Sequence, residues 1–215
     1  DDIDFTKFTF SNSNDNKMTY IQHNNKAFIY QTPLIKMMSG GISNNNKLSI
    51  PLDPNIEKHN KIINTFKQID DCITQKMNSN YQSIMKSNGN KKCITARFDI
   101  NPIDKKLMTQ SYVKQNNKIN KCESNMDNMK NDLSWGSTMR AILRLVGVFT
   151  HDGVSQMILK IAAIEIEKSS VDKNKFAFDY GSDDDIESDD ELENGNEVTT
   201  ETEIDFDNIV FDIEI

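Results

Sequence analysis

Cysteine is scarce in this chain, and the residues that occur are far apart. Cys72, Cys93 and Cys122 are separated by 21 and 29 positions, so no CxxC pair exists, and no HxxxH pair replaces it. Disulfide frameworks use an even number of cysteines, and zinc sites use closely spaced Cys or His ligands. The sequence therefore argues against a disulfide-rich secreted protein and against a metal site, and it predicts a reduced intracellular protein.

Long apolar runs are also missing. Hydrophobic residues make up 36% of the chain, and no run approaches the roughly 20 apolar residues that a membrane helix needs. The first residues lack the basic-then-apolar pattern of a signal peptide. We predict a soluble, intracellular protein that does not contact a membrane.

Catalytic signatures are absent as well. Two of the histidines, His23 and His151, fall in predicted turns, and His59 lies on a predicted helix; none accompanies a recognisable nucleophile. Ser39-Gly40-Gly41 lacks the Lys-Ser/Thr of a phosphate-binding loop. Asp70-Asp71 is more typical of a solvated helix face than of a metal site. The sequence predicts no enzyme, no catalytic residues and no cofactor.

Charge, by contrast, is abundant and unevenly divided. Residues 1–168 contain 23 Lys+Arg and 16 Asp+Glu, a balance of +7, whereas residues 169–215 contain 2 Lys and 17 Asp+Glu, a balance of −15; together they give the net charge of −8. A basic body attracts polyanions, and a tethered polyanion competes with them. This division points to nucleic-acid binding with a built-in competitor.

The body alternates as strands do, with one long helical segment. A loop at 23–26 predicts a hairpin, because Asn tolerates positive φ. Asp53 and Pro54 suit the N-cap and first position of an amphipathic helix of about six turns that continues to Met77. A short helix is predicted near Met126–Leu133. The strand candidates before the C-terminal hairpin are Phe5–Phe10, Met18–Gln22, Ala27–Gln31, Lys47–Leu52, Cys93–Phe98 and Lys106–Lys114.

The clearest β signal is a long C-terminal hairpin. Thr138–Thr150 and Val154–Glu167 flank Asp152-Gly153, which suits a two-residue type I′ turn. That turn predicts Arg140 opposite Glu165. Strict alternation then predicts one sheet face with Arg140, Ile142, Arg144, Val146 and Val148, and the other with Leu143, Leu145 and Phe149.

These elements predict a mainly β fold with one long helix, in the form of an OB-fold-like Greek-key barrel; a generic α+β domain is the alternative. We assign residues 1–168 to this nucleic-acid-binding domain. Residues 169–215 form an acidic tail too polar to bury a core, which predicts disorder.

Single-stranded nucleic acid is bound by cations that track phosphates and by aromatic rings that stack on bases. Tyr30, Tyr112 and Trp135 are the stacking candidates, because Tyr and Trp are less often fully buried than Phe. The cationic candidates lie on predicted strands and loops: Lys36, Lys91, Lys92, Arg97, Lys105, Lys106, Lys114, Arg140 and Arg144.

The end of the tail combines acidic and apolar residues. A purely solubilising tail needs no apolar residues, whereas alternating acidic and apolar side chains suit a peptide that docks in a basic groove. The 37 residues from Asp179 would span roughly 33 Å as a flexible coil, enough to return to the body. The candidate docking residues are Asp205, Phe206, Asp207, Phe211, Asp212 and Ile215.

Phe28-Ile29-Tyr30-Gln31-Thr32-Pro33 resembles the strand-plus-QTP segment of the single-stranded DNA-binding proteins of large eukaryotic DNA viruses. That family is similar to the OB-fold single-stranded DNA-binding protein of T-odd podophages. The resemblance extends more loosely through Trp135, the closing hairpin and the acidic tail. It implies a tail that competes with DNA and recruits replication proteins, and a viral protein at replication sites in the host cytoplasm or nucleus.

The function predicted is therefore sequence-independent binding of single-stranded DNA in replication, recombination and repair. The alternative is a virion-associated or scaffold protein whose acidic tail binds basic proteins. The sequence leaves open whether the protein forms a homo-oligomer.

Overall fold

The computed structural model describes residues 3–14, 17–37, 41–43, 45–77, 80–88, 91–115, 118–123 and 125–168. The acidic tail, residues 169–215, with its candidate docking residues, lies outside the described residues. The predicted domain 1–168 is therefore the part to which the following description applies.

The described residues form mostly strands. The strands are β1 (Phe8–Asn12), β2 (Met18–His23), β3 (Lys26–Gln31), β4 (Ile35–Lys36), β5 (Lys47–Leu52), β6 (Asn80–Gln82), β7 (Met85–Asn88), β8 (Lys91–Phe98), β9 (Gln110–Gln115), β10 (Lys118–Cys122), β11 (Thr138–His151) and β12 (Val154–Glu167). The α-helices are α1 (Glu57–Lys76) and α2 (Met126–Asp132), and a short 3-10 helix spans Phe5–Lys7.

The strands belong to one curled sheet, a half-barrel, in the order β1-β2-β3-β11-β12-β8-β5. Off this path, β4 pairs with β11, β6 and β9 pair with β12, β7 pairs with β8, and β10 pairs with β9. The mainly β, OB-fold-like class with one long helix is thereby confirmed.

One face of this sheet is buried against α1. Ile62, Phe66 and Ile69 of the helix share the main hydrophobic core with alternate residues of β5 and β8, such as Ile50 and Ile94. Because successive side chains of a strand point to opposite faces, the remaining residues of these strands lie on the other side. We call that other side the outer face.

The long helix begins later than predicted. The Asp53 carboxylate accepts a hydrogen bond from the Asn55 N–H (2.9 Å), and the Ile56 N–H donates to the Asp53 carbonyl (3.1 Å). Asp53 therefore stabilises a turn in front of the helix, and Ile56 is the N-cap of a helix that starts at Glu57. The long helix itself is confirmed, but the assignment of Asp53 as N-cap and Pro54 as first helical residue is wrong, because the helix starts three positions after Pro54.

Both predicted hairpin turns are confirmed by their backbone angles. Asn24 and Asn25 have φ of 53° and 59°, and Asp152 and Gly153 have φ of 50° and 75°. Two successive positive φ values define the type I′ turn, whose twist matches that of the flanking strands.

Two predicted strands are shorter than expected at their N-terminal ends. The segment Phe5–Phe10 starts as a 3-10 turn in which the Asp4 carboxylate accepts a hydrogen bond from the Thr6 N–H (3.1 Å), and β1 begins at Phe8. The segment Lys106–Lys114 is extended only from Gln110, where β9 begins. Residues 99–109 form a connection that we call the 99–109 loop.

The closing hairpin has the predicted register at both ends but not in between. Arg140 lies opposite Glu165, as predicted from the turn. Irregularities after Leu145 and after Ile161 leave Val146 and Ala162 without cross-strand partners. The two bulges compensate each other, so only the pairs between them are displaced by one residue.

The bulge at Val146 reverses the faces predicted for the end of β11. Val148 is buried in the main core and Phe149 is exposed, opposite to the strict alternation expected from the sequence. An extra residue in a structure of period two moves every following side chain to the other face.

Candidate nucleic-acid interface

Four cationic side chains form a line across the outer face. Lys47 of β5 lies opposite Arg97 of β8, Arg97 lies opposite Lys160 of β12, and Lys160 lies opposite Arg144 of β11. Neighbouring strands are about 4.8 Å apart, so the four positions span about 14 Å. We call Lys47, Arg97, Lys160 and Arg144 the basic row.

One carboxylate holds two members of the row. Asp99 accepts hydrogen bonds from Arg144 Nη2 (2.7 Å) and from Lys160 Nζ (2.5 Å), and its side chain is only 18% exposed. The Asp99 N–H in turn donates to Thr109 Oγ1 (2.9 Å). Arg144 Nε is buried and has no hydrogen-bond partner in the part of the chain that the structure describes.

The other end of the row carries uncompensated positive charge. Within the described ranges, neither Lys47 nor Arg97 has a carboxylate within ion-pair distance. Burial, followed by repulsion from Arg97 and Lys86, lowers the pKa of Lys47 below its usual value. An anion bound between these cations would relieve that repulsion.

Exposed apolar side chains continue the outer face beyond Arg144. Ile29 of β3 lies opposite Arg144, and Tyr20 of β2 lies opposite Gly147 of β11. Phe149 lies on the same face as a result of the Val146 bulge, and all three side chains are exposed. We call Tyr20, Ile29 and Phe149 the apolar patch.

The outer face thus places cations and exposed aromatic rings side by side. Lysine and arginine attract phosphates, and Tyr and Phe rings present flat surfaces on which nucleobases stack. The two chemistries occur on adjacent strands of one continuous surface, which is the arrangement that a flexible, single-stranded polyanion requires.

The predicted cations are distributed unevenly with respect to this surface. Arg97 and Arg144 belong to the basic row. Arg140 also faces outward, but its Nη2 lies 2.7 Å from the carboxylate of Glu165, which is almost completely buried, and this ion pair holds it in place. The remaining predicted lysines lie on the edges and loops around the row: Lys36 on β4, Lys91 and Lys92 on β8, Lys105 and Lys106 on the 99–109 loop, and Lys114 on β9.

The predicted stacking residues do not converge on one surface. Tyr30 points to the core side of β3, where its ring packs edge-to-face on Phe66 at 5.6 Å and lines a groove of about 1,010 Å³ between β3 and α1. Burial raises the pKa of its hydroxyl. Trp135 is 62% exposed and lies on the connection between α2 and β11.

Tyr112 is where the structure departs furthest from the predicted site. Its side chain is 4% exposed, packs with Ile142 and Ala163, and donates a hydrogen bond to Gln110 (2.6 Å). Burial raises the pKa of its hydroxyl. Stacking on a base needs ring surface that this packing, with Ile119 of β10 and Ala162 beside it, covers.

Four residues of this candidate interface were not predicted from the sequence: Lys47, Lys160, Tyr20 and Phe149. The hairpin register was the available signal, but a regular hairpin puts Ile161 opposite Arg144, and only the bulges bring Lys160 there. Lys47 enters the row through the pairing of β5 with β8, which joins segments far apart in the chain. No local sequence pattern indicates the pairing of β5 with β8.

Among the described residues, no group of three or more His, Cys, Asp and Glu side chains could hold a metal ion. Their helices likewise include none with the length and apolar character needed to cross a membrane.

No protein-family model matches the chain, and no curated protein matches it. Among solved structures, gp2.5, a single-stranded DNA-binding protein encoded by bacteriophage T7, is similar with a TM-score of 0.44 and 7% sequence identity, covering 76% of this chain and 100% of that chain. A C-terminally truncated single-stranded DNA-binding protein from bacteriophage Enc34 is similar with a TM-score of 0.38 and 11% identity, covering 77% of this chain and 97% of that chain. Both neighbours are phage proteins, and membership of the family of large eukaryotic DNA viruses stays a prediction.

Proposed function

We propose that this protein binds single-stranded DNA without sequence preference, through the outer face of its sheet, and that it serves DNA replication, recombination and repair. The observation that carries the proposal is the basic row, which joins the apolar patch on one surface. The row contacts phosphates and the patch contacts bases. Neither chemistry depends on base identity.

The geometry favours a single strand over a duplex. Exposed aromatic and apolar side chains gain contact with a base only when the face of that base is free. In a duplex the base faces are stacked on each other, and only the phosphates remain accessible to the row. Contact between the apolar patch and the base faces therefore adds to the binding free energy only when the strand is unpaired.

We propose further that the acidic tail competes with DNA for the basic row and recruits replication proteins. The support is complementarity of charge, with −15 in residues 169–215 against +7 in residues 1–168. A protein without enzymatic activity suffices for these roles.

The test is a salt titration of binding to a single-stranded oligonucleotide, with wild type, Arg97→Ala and Lys67→Ala. For single strands, log affinity falls against log salt with a slope of about −0.7 per phosphate contacted. Arg97→Ala should reduce the magnitude of the slope by about 0.7, because one contact is removed. Lys67 is exposed on α1, away from the outer face, so Lys67→Ala should leave the slope unchanged.

Failure of the wild-type protein to bind any single strand at low salt would refute the proposal. Equal slopes for Arg97→Ala and Lys67→Ala, with wild type binding, would show that the strand lies elsewhere on the protein.

A further inference from the structure

The 99–109 loop presents an apolar side chain almost entirely to water. Ile103, at its tip, is 90% exposed, and Met108 on its return arm is exposed as well. Single exposed apolar residues are common on protein surfaces, so exposure alone indicates nothing. The construction of the loop and its position are the informative features.

The tip of the loop is held in one conformation by its own hydrogen bonds. The Asn101 N–H donates to the Lys106 carbonyl (2.9 Å), and the Lys105 N–H donates to the Asn101 carbonyl (3.0 Å). The Ile103 N–H donates to the Asn101 side chain (2.9 Å). Lys105 has φ of 60°, a strained conformation for a residue other than Gly, Asn or Asp. Ile103 is therefore held outward by a defined backbone.

The base of the loop is anchored in the fold. Ile100 and Leu107 pair with each other and pack against the main core. Thr109 Oγ1 accepts from the Asp99 N–H and donates to the Ile161 carbonyl (2.6 Å). Both ends of the loop are therefore fixed to the sheet, one through β8 and the other through β12.

The loop emerges from the basic row itself. Its first residue, Asp99, is the carboxylate that binds Arg144 and Lys160. Ile103 is four residues further on, so it lies within about 14 Å of Asp99 even if the chain were fully extended. Two exposed lysines, Lys105 and Lys106, accompany it at the tip.

We infer that Ile103 is a wedge that inserts between neighbouring bases of the strand held on the basic row, with Lys105 and Lys106 at the flanking phosphates. Apolar side chains such as Ile and Met separate stacked bases in this way, and the bases then cover the apolar surface from water. The inference rests on the proposed function and adds to it an unstacking step. The protein would not merely coat a strand but would hold its bases apart.

The experiment uses a single strand containing two adjacent 2-aminopurine bases, whose fluorescence is quenched while they are stacked. Binding of the wild-type protein should raise the fluorescence at saturation. Ile103→Ala should bind about tenfold more weakly and should raise the fluorescence much less. Ile56→Ala is the matched control, since Ile56 is also an exposed isoleucine but lies at the start of α1.

Ile103→Lys distinguishes insertion of an apolar side chain between bases from electrostatic attraction to phosphates. The added cation should preserve affinity for the strand, yet the fluorescence increase at saturation should be lost. If either variant, bound at saturation, unstacks the bases as fully as wild type does, the wedge is refuted while the proposed function stands. If wild type does not bind the strand at all, both the proposed function and the wedge fail.

Discussion

At the scale of single residues, Asp70 is a carboxylate of α1 that faces two hydroxyl donors. The Tyr81 hydroxyl donates to Asp70 Oδ1 (2.5 Å), and the Ser83 hydroxyl donates to Oδ2. These contacts attach β6 and the following turn to the helix. Burial raises the pKa of Asp70, and the two hydrogen bonds offset only part of that effect. The folded state therefore favours the neutral acid more than the unfolded chain does.

The sign of the pH dependence follows from that raised pKa. The stabilisation is fully present below the unfolded-state pKa and is lost as pH rises through the folded-state pKa. We expect wild type to lose stability relative to Asp70→Asn as pH rises above about 4, the ordinary pKa of an Asp side chain, because Asn cannot ionise. Urea denaturation across that range measures the difference.

Asp71→Asn is the companion variant for this pH series, because the charge of Asp71, the next residue on α1, contributes to the raised pKa of Asp70. Its stability should fall less with rising pH than that of wild type. A difference between Asp70→Asn and wild type that is constant with pH would contradict the assigned pKa shift.

At the scale of elements, β11 changes partners at its bulge. Its first half pairs with β3 through Leu145, and its second half pairs with β2 from Gly147 onward. Gly147 has φ of 156°, and a Cβ there would lie 2.1 Å from the Thr19 carbonyl oxygen. The change of partner from β3 to β2 thus requires a residue without a side chain at position 147.

Gly147→Ala should therefore destabilise the fold by about 2–4 kcal/mol, since strain adds to a clash with backbone that cannot move aside cheaply. Gly153→Ala measures the cost of backbone strain alone, without a clash. Gly153 also has positive φ, but no atom lies within 4 Å of its would-be Cβ, so that change should cost only about 1 kcal/mol. Thermal or urea unfolding of both variants measures the comparison, and an equal or smaller cost for Gly147→Ala would contradict the structure.

The elements also show what the sequence can and cannot predict. Asp152-Gly153 and Asn24-Asn25 have a local conformational requirement, and both turns were predicted. Most strand segments and the helix were recognised from their periodicity. The bulges at Val146 and Ala162 have no local signature, because neither Val nor Ala requires a special conformation. Lys160 lies opposite Arg144 only because of those bulges, and Lys47 joins the row only through the pairing of β5 with β8, so these two of its four members could not be predicted.

At the scale of the whole molecule, the separation of charge is the dominant feature. The described body carries the basic row on one face, while 17 Asp+Glu residues are concentrated in residues 169–215. Attraction between exposed charges is screened beyond about 8 Å at physiological salt. The proposed competition between the tail and DNA therefore requires direct contact of the tail with the row.

Deleting residues 169–215 should tighten binding to a single strand by roughly tenfold at low salt, and the gain should shrink as salt increases. The matched control keeps the full length but changes Asp183, Asp184, Asp185, Asp189, Asp190 and Glu191 to their amides. That variant should bind with an intermediate affinity. Unchanged affinity after deletion would leave the tail without a competing role.

The alignment of the basic row depends on the folded state of the protein. Lys47, Arg97, Arg144 and Lys160 come from four strands, and only strand pairing aligns them. An unfolded chain or a short fragment has the same residues but not the line of charge, so it cannot bind in the same way. A ligand that binds the native state alone stabilises it by RT ln(1 + L/Kd), where L is the concentration of free ligand. If the protein binds single strands as we propose, a bound strand should by this linkage stabilise the fold, and the unbound protein should be the form more exposed to unfolding and proteolysis.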